Sequence, residues 1–412
     1  MSSTGEAEGR KTNAPGAAGS ALADLHASIL SGLYASLSHH PGAEDIERAL
    51  SATLPLCRRA LITRLGDLTG LDRIGLPVVQ AVRPDAFSEV TSLGRGLTKA
   101  EAAIGAIMES LERYYAEAIP PERTFLATAD ELEIAEGLFE NFLLPDRRAR
   151  WRARRIPWIT GVDVATGCTQ PVPLELVHTC YTDPPPAGDG LFMRTTTGLA
   201  CHMNGYGAFL HGLLECLERD ALARAFATHG FFDRMRIAPT GLGDRVDYIL
   251  SVASACGISF ALWLAPSPAN VRVVWCQTIE TGPGEPILAL PTEGYAAGPS
   301  LAAAASSAML EALSARAGAI SGARDDQTRL HYRRSTDAVV TNARRLILDN
   351  ASARPATAAQ SAAVADLGAL MDRVISARLG PILAVPVGAD RETGVQCVRT
   401  ILPGASPFFV LR

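Results

Sequence analysis

The chain of 412 residues lacks the sequence signals of several common protein classes. Its eight cysteines include no CxxC pair, which argues against a zinc ribbon or a thioredoxin-like site. No apolar run approaches the roughly 18 residues that a membrane-spanning helix requires. No secretory hydrophobic segment opens the sequence, so the thiols are expected to stay reduced. These absences predict a soluble, cytoplasmic protein with no membrane partner.

The sequence also has no excess of positive charge. It holds 38 Lys and Arg against 43 Asp and Glu, for a formal net charge of -5. Such a balance gives no general attraction to nucleic acid or to an anionic membrane. The motifs HExxH and GxSxG are absent too, which argues against a zincin or an α/β-hydrolase. A hydrophobic content of 48% still supports a substantial core.

Residue patterns divide the chain into three regions. Residues 1–20 are small, polar and rich in Gly and Pro, which predicts a disordered tail. Apolar residues at helical spacing predict N-terminal helices over residues 21–60. Strands and long helices alternate through residues 61–412, so one α/β (α+β) domain is predicted, in which long helices pack on mixed sheets. The longest predicted helices cover residues 98–118, 205–229 and 300–320.

Two of these long helices carry the same pentad, ESLER at residues 109–113 and ECLER at residues 215–219. In each pentad, two glutamates three residues apart share one helical face inside apolar flanks. If the helices lie side by side, four carboxylates meet two arginines, an imbalance that Mg²⁺ bound with phosphates would resolve. The candidate ligands are Glu109, Glu112, Glu215 and Glu218. The alternative is an exposed Glu–Arg pair in each helix, worth only about 0.3–0.5 kcal/mol.

The third long helix carries MLEALSAR over residues 309–316, a partial copy of the same pattern. Glu311 is kept, while Ser314 and Ala315 stand where the other helices have Glu and Arg. The three helices together predict a pseudo-repeated domain whose third copy has lost half of its charge set.

The segment before the first of these helices reads SLGRGLT over residues 92–98. Two glycines one residue apart, Gly94 and Gly96, let a backbone approach a ligand closely, and a helix N-terminus can receive an anion. Arg95 could then contact a phosphate. The spacing matches neither a P-loop nor a dinucleotide fingerprint, and an ordinary glycine turn is the alternative.

Five segments resemble, in order, the signature blocks of the YcaO family. They read ITRLGDLTGLDRIGLPVVQAVRP, SLGRGLTKAEAAIGAIMESLERYYAE, TTGLACHMNGYGAFLHGLLECLERDAL, AMLEALSARAGAISGARDD and RTILPGASPF. The resemblance implies an enzyme that uses ATP and Mg²⁺ to phosphorylate the oxygen of a peptide-bond amide to whose carbon a nucleophile has added. The implied products are azolines or thioamides in a ribosomally made peptide or protein.

The resemblance also implies roles for individual residues. The metal-binding carboxylates of the family resemble Glu109, Glu112, Glu215 and Glu218, and the catalytic arginines resemble Arg113 and Arg219. Its cofactor-binding positions resemble Ser92, Gly94, Arg95 and Gly96, where Arg95 replaces the usual lysine, and Arg316 at the end of the third block. The chain departs from the family pattern at Gly105, Gly207, Ser307 and Ser314.

These departures leave open a degenerate homologue that acts as a scaffold or regulatory subunit, and a weaker alternative is an unrelated nucleotidase. The terminal SPFFVLR lacks the Pro-x-Pro-x-Pro tail common in peptide cyclodehydratases, which favours a thioamide-type member with a TfuA-like partner. With no peptide-binding domain before residue 21, a separate leader-peptide-binding protein is the other expected partner. The oligomeric state is left open, with a homodimer among the alternatives.

Overall fold

The computed structural model describes residues 17–37, 42–283, 285–322, 332, 337–349, 353–357, 360 and 362–408. Its helices are α1 (Ala17–Ser31), α2 (Ala43–Arg59), α3 (Lys99–Glu117), α4 (Gly205–Ala227), α5 (Phe231–Arg234), α6 (Asp244–Ala255), α7 (Leu301–Ser321), α8 (Ala338–Leu348) and α9 (Leu367–Ser376). Helix α1 begins at Ala17, so residues 17–20 are helical, and the rest of the predicted tail lies outside the described residues. No helix in these ranges is both long and apolar enough to cross a membrane.

The strands form three sheets. They are β1 (Arg64–Asp67), β2 (Val78–Val82), β3 (Thr91–Arg95), β4 (Thr124–Ala127), β5 (Ile156–Asp163), β6 (Thr169–Pro173), β7 (Leu199–His202), β8 (Arg236–Ile237), β9 (Ile258–Ala265), β10 (Arg272–Glu280), β11 (Thr292–Gly298), β12 (Leu383–Ala389) and β13 (Gln396–Ile401). The strand orders are β1-β2-β3, β11-β10-β9-β8 and β4-β5-β12-β13-β7, with β6 also paired to β5. The predicted class of sheets with long helices packed on them is confirmed. Every pairing between these strands is antiparallel, which makes the fold α+β.

The core lies where the three long helices cover the sheets. Ile107 and Leu111 of α3 are buried in one cluster with side chains of β5, β12 and β13. Leu213 and Leu217 of α4 belong to a second cluster with α1 and α9, and Met309 of α7 belongs to a third with β9 and β10. Apolar residues at helical spacing therefore bury one face of each helix, and the glutamates lie on the remaining surface of the helix.

Three strand–helix units repeat along the chain: β3–α3, β7–α4 and β11–α7. Each helix begins at a polar N-cap whose side chain accepts the backbone N–H three residues later, at 3.2 Å for Thr98, 2.7 Å for Asn204 and 3.2 Å for Ser300. Glu109, Glu215 and Glu311 each lie eleven residues after these caps. The units therefore align residue for residue. At the start of α3, the side chain of Glu101 also accepts from Leu97 N–H at 2.6 Å, one residue before the N-cap.

Most of the segment predicted as a glycine loop is strand β3, so that prediction is wrong for residues 92–95. Ser92 and Gly94 point to the buried face of the strand, and Leu93 and Arg95 to the other face. A side chain at Gly94 would overlap the backbone of α3 at Ala102. Gly94 is therefore required because strand and helix touch.

Replacing Gly94 with alanine is expected to lower the free energy of unfolding by about 1–3 kcal/mol or more, because the new methyl group meets backbone atoms that cannot move aside. Chemical denaturation with far-UV circular dichroism measures this change. Gly70→Ala is the matched control, since nothing lies within 4 Å of its added Cβ, and a change below about 1 kcal/mol is expected there. Equal effects in both variants would contradict the packing role.

Candidate functional site

The first glutamate of each unit is bonded to the strand of its own unit. In each case one carboxylate oxygen accepts a backbone N–H from β3, from the residue before β7, or from β11. The pairs are Glu109 with Leu93 at 3.2 Å, Glu215 with Gly198 at 2.9 Å, and Glu311 with Tyr295 at 3.2 Å. Since β3, β7 and β11 each end their sheet, these bonds use N–H groups at sheet edges.

The second glutamate of a unit reaches the strand of the next unit. Glu112 accepts from Cys201 N–H in β7 at 3.0 Å, and Glu218 accepts from Ala297 N–H in β11 at 3.2 Å. The third helix has Ser314 at this position, and the link back to β3 is instead the ion pair of Arg95 with Glu311 at 3.2 Å. The three units thus close into a ring, called here the glutamate ring: Glu109, Glu112, Glu215, Glu218 and Glu311.

Two further arginines lie in this ring. Arg113 pairs with Glu109 at 3.1 Å and with Glu89 at 2.8 Å. Arg219 lies 3.5 Å from both Glu215 and Glu218, and its guanidinium lies over the ring of Tyr295 at 6.0 Å. Together with Arg95, three arginines face the five carboxylates of the glutamate ring. The structure thus brings both predicted catalytic arginines and all four predicted metal ligands together.

The excess of carboxylates is visible in their protonation. Burial raises the pKa of Glu109, although Arg113 and Arg95 oppose this. Burial raises the pKa of Glu112 well above its ordinary value, and the charges of Glu109 and Glu215 raise it further. Burial raises the pKa of Glu218 to about 7; the charge of Arg219 opposes this rise, and the charges of Glu311 and Glu215 add to it. Three carboxyl groups are therefore short of positive charge.

His211 is a further member of the site, which the motifs did not single out. It lies one turn before Glu215 on α4, and the charges of Glu215, Arg95 and Glu311 all act on its imidazole. The residue is exposed, while desolvation of the imidazole lowers its pKa. Arg95 lowers the pKa further, and Glu215 and Glu311 raise it by less in sum. The imidazole is therefore neutral at pH 7. Its spacing of four from Glu215 was the available signal.

The structure does not bring Arg316 to the glutamate ring. Its guanidinium donates to Asp72 at 2.8 Å and to Glu280 at 2.9 Å, and its side chain is only 2% exposed. It follows Glu311 by five residues, which is about 140° around the helix. Its carboxylate partners hold it in the core, and the predicted cofactor contact stays a prediction.

Of the other predicted cofactor-binding positions, only Arg95 faces the glutamate ring with a side chain. Ser92 is 3% exposed on the core side of β3. A side chain at Gly96 would meet Glu101, so this glycine accommodates the start of α3. Gly105, one of the departures from the family pattern, faces Gly94, with an added Cβ only 3.2 Å from the Gly94 Cα. That departure therefore matches a close approach of α3 to β3.

The carboxylate oxygens of the glutamate ring are suitable ligands for Mg²⁺, because hard divalent cations prefer carboxylate oxygens. The shortage of positive charge at Glu109, Glu112 and Glu218 fits a cationic ligand as well. Within the described ranges, however, no three His, Cys, Asp or Glu side chains are grouped so that they could hold a metal ion. Each glutamate instead has an oxygen bonded to a strand N–H.

Residues 93–406 match the family model described as YcaO cyclodehydratase, ATP- and Mg²⁺-binding. This match spans most of the sequence, and the chain therefore belongs to the YcaO family. The predicted family is confirmed, and so is the prediction of ATP and Mg²⁺ as cofactors. The first of the five sequence blocks, at residues 62–84, lies outside the matched range. Family and fold together support an ATP-dependent enzyme that modifies peptides.

Curated relatives support the same assignment. An uncharacterised protein of Methanothermobacter thermautotrophicus is 30% identical over 298 residues, which cover 72% of this chain and 76% of that protein. An uncharacterised protein encoded in the tfuA 3′ region of Rhizobium leguminosarum bv. trifolii is 28% identical over 380 residues, 89% of each chain.

Solved structures share the fold. YcaO from Methanopyrus kandleri, bound with AMPPCP and Mg²⁺, has a TM-score of 0.65 at 23% identity and covers 87% of this chain and 91% of that one. A heterocyclase in complex with substrate and cofactor has a TM-score of 0.69 at 15% identity, with coverage of 93% and 56%. The E. coli microcin synthetase McbBCD complex contains a chain with a TM-score of 0.58 at 14% identity, with coverage of 82% and 87%.

Proposed function

We propose that the chain uses ATP and Mg²⁺ to phosphorylate the oxygen of a peptide-backbone amide and so to form an azoline or a thioamide. The observation that carries this proposal is the glutamate ring, in which five carboxylates face three arginines and burial raises the pKa of Glu112 and Glu218. An amide oxygen is a poor leaving group, whereas phosphate leaves readily. A site that holds a nucleotide with its metal ion therefore supplies the phosphorylation that turns the amide oxygen into a good leaving group.

In this proposal Glu109, Glu112, Glu215 and Glu218 hold Mg²⁺, which neutralises phosphate charge when it is bound. Arg95 is 34% exposed in its side chain and paired to Glu311 at 3.2 Å, so it can turn from that carboxylate to a phosphate. Arg219 is fixed between Glu215 and Glu218 and presents positive charge that requires no rearrangement. The neutral imidazole of His211 can accept a proton beside Glu215.

Between the two products, we favour the thioamide. The support is the full-length relative whose name places it beside tfuA in Rhizobium leguminosarum. A TfuA-like protein is therefore the proposed partner, and a leader-peptide-binding protein is the alternative. The E. coli microcin synthetase, whose fold this chain shares, was solved as a complex. The substrate is then a peptide or protein bound with the help of that partner.

Reconstitution with the TfuA-like protein from the same genome, a substrate peptide, sulfide and Mg–ATP tests this function. We expect peptide-dependent ATP consumption and, by mass spectrometry, replacement of one oxygen by sulfur. Loss of one water from the peptide would instead identify an azoline and contradict the thioamide assignment. ATP consumption that is indifferent to any peptide would contradict the proposed function and favour a nucleotidase.

A non-catalytic subunit is the second candidate, because each ring glutamate has an oxygen bonded to a strand N–H and none of the described residues form a ready metal-ligand cluster. Calorimetry with AMPPCP separates the candidates. An enzyme should bind this analogue in the presence of Mg²⁺ and much more weakly without it. A scaffold should bind it in neither case.

A further inference from the structure

A small cavity of about 40 Å³ lies beside Arg219. Its walls are the end of β13, the residues before β7 and the closing segment 402–408. Phe142, Leu176 and Phe408 contribute much of its apolar lining. Of the described residues that line it, only Arg219 and Arg399 carry charge, and both charges are positive.

Arg399 is unusual among the buried arginines. It belongs to β13, its residue is 3% exposed, and its Nη2 donates to the carbonyl oxygen of Thr195 at 2.6 Å. Its Nε and Nη1 are buried and have no hydrogen-bond partner in the part of the chain that the structure describes. By comparison, Arg316 is equally buried but donates to Asp72 and Glu280.

A buried guanidinium with unused donors is costly, because its charge has left water without gaining an opposite charge. The carboxylates of Glu215 and Glu218 pair with Arg219, and no ion pair joins either of them to Arg399 in the part of the chain that the structure describes. Hydroxyl groups of Thr195 and Thr197 line the same cavity and lie 2.8 Å from each other. The cavity thus offers several donors and positive charge within apolar walls, a combination that suits a small oxyanion.

We propose that this cavity is a phosphate-binding site in which Arg399 supplies the charged donors. The source of the ligand rests on the proposed function: phosphate leaves with the former amide oxygen once the amide has been activated. The cavity borders Arg219 of the glutamate ring, so the released anion would move only to a neighbouring site. Free phosphate from solution has the same chemistry and would occupy the same donors.

Calorimetric titration of the full chain with potassium phosphate, without ATP, Mg²⁺ or peptide, tests the site. Wild type is expected to bind phosphate, and Arg399→Met to weaken binding at least about tenfold, the loss of one charged contact. Potassium chloride at equal ionic strength and Arg194→Met are the controls, since Arg194 pairs with Asp189 and does not line the cavity. Equal binding by Arg399→Met and wild type would overturn the proposal, as would no binding to wild type.

Arg399→Met is expected to fold, because methionine removes a buried charge that pairs with no opposite charge among the described residues. Its melting temperature in phosphate-free buffer should be at least that of wild type. If this variant does not fold, Arg399→Lys and Thr197→Val decide the matter, since each removes donors from the cavity but keeps its shape. Wild-type affinity for phosphate in both would overturn the site.

The experiment also separates this inference from the proposed function. During turnover with Mg–ATP and peptide, added phosphate should inhibit wild type and inhibit Arg399→Lys less. If phosphate binding depends on Arg399 but the chain shows no peptide-dependent turnover, the phosphate site is kept and the proposed enzymatic function is rejected. If the chain shows peptide-dependent turnover but phosphate neither binds to it nor inhibits it, the phosphate site is rejected and the proposed enzymatic function is kept.

Discussion

Replacing Glu215 with glutamine is expected to reduce peptide-dependent ATP turnover on the order of 10²–10³-fold, the typical loss when one preorganised electrostatic contact to the reacting group is removed. Glutamine keeps the size of the side chain and can still accept from Gly198 N–H, which Glu215 binds at 2.9 Å. The substitution therefore removes one negative charge and leaves the geometry at the edge of the sheet unchanged. Steady-state kinetics at several Mg²⁺ concentrations measure the loss.

The stability of this variant should not fall with its activity. Glu215 lies in a ring that already has more carboxylates than arginines, so removing one charge relieves repulsion on Glu112 and Glu218. The melting temperature is expected to stay within a few degrees of wild type. Glu47→Gln on the exposed face of α2 is the matched control and should keep full activity. Unchanged turnover in Glu215→Gln would refute the assignment of this carboxylate to the site.

Replacing Arg316 with methionine is expected to lower the free energy of unfolding by about 3–5 kcal/mol, because it leaves buried carboxylates without their cation. Asp72 and Glu280 are 6% and 3% exposed in their side chains, so water cannot take over from the guanidinium. Arg73 can neutralise only Glu280, at 3.0 Å. Denaturant titration of the full chain measures the change.

The same variant decides between the two roles of Arg316. A structural role predicts a large loss of stability and, in the folded fraction, an unchanged dissociation constant for AMPPCP with Mg²⁺. A cofactor contact, as the family pattern implies, predicts weaker binding with little loss of stability. Arg373→Met is the control, because this half-buried arginine donates only to the carbonyl of Asn270 among its described contacts; a change within about 0.5 kcal/mol is expected.

The parts of the fold that local sequence dictates were predictable. Helices α3, α4 and α7 combine apolar spacing with a polar N-cap, and each begins and ends within about two residues of its predicted bounds, the usual margin between assignments. The repeated pentads placed the glutamates of α3 and α4 on comparable faces. The apolar flanks of both helices indicated partly buried carboxylates, with exposed Glu–Arg pairs as the alternative. The side chains of Glu109 and Glu218 are 38% and 11% exposed.

The parts that depend on contacts between distant segments were not predictable. Strand β11 reads TEGYAAG, which contains few residues that favour strands, and β3 contains a glycine that only its helix explains. Arg316 and Asp72 are 244 residues apart, so no local pattern announces their ion pair. Glu311 belongs to the site because it contacts Tyr295 and Arg95. Neither contact can be predicted from the sequence of its own helix.

The way in which the glutamates meet β3, β7 and β11 has a consequence for solubility. An uncovered outer strand can pair with another chain and so begin aggregation. Here, acidic side chains already occupy outward N–H groups on all three strands, and any incoming strand would have to displace them. Variants that replace several of these residues with alanine would therefore expose three templates at once, and we expect them to associate into oligomers before they unfold.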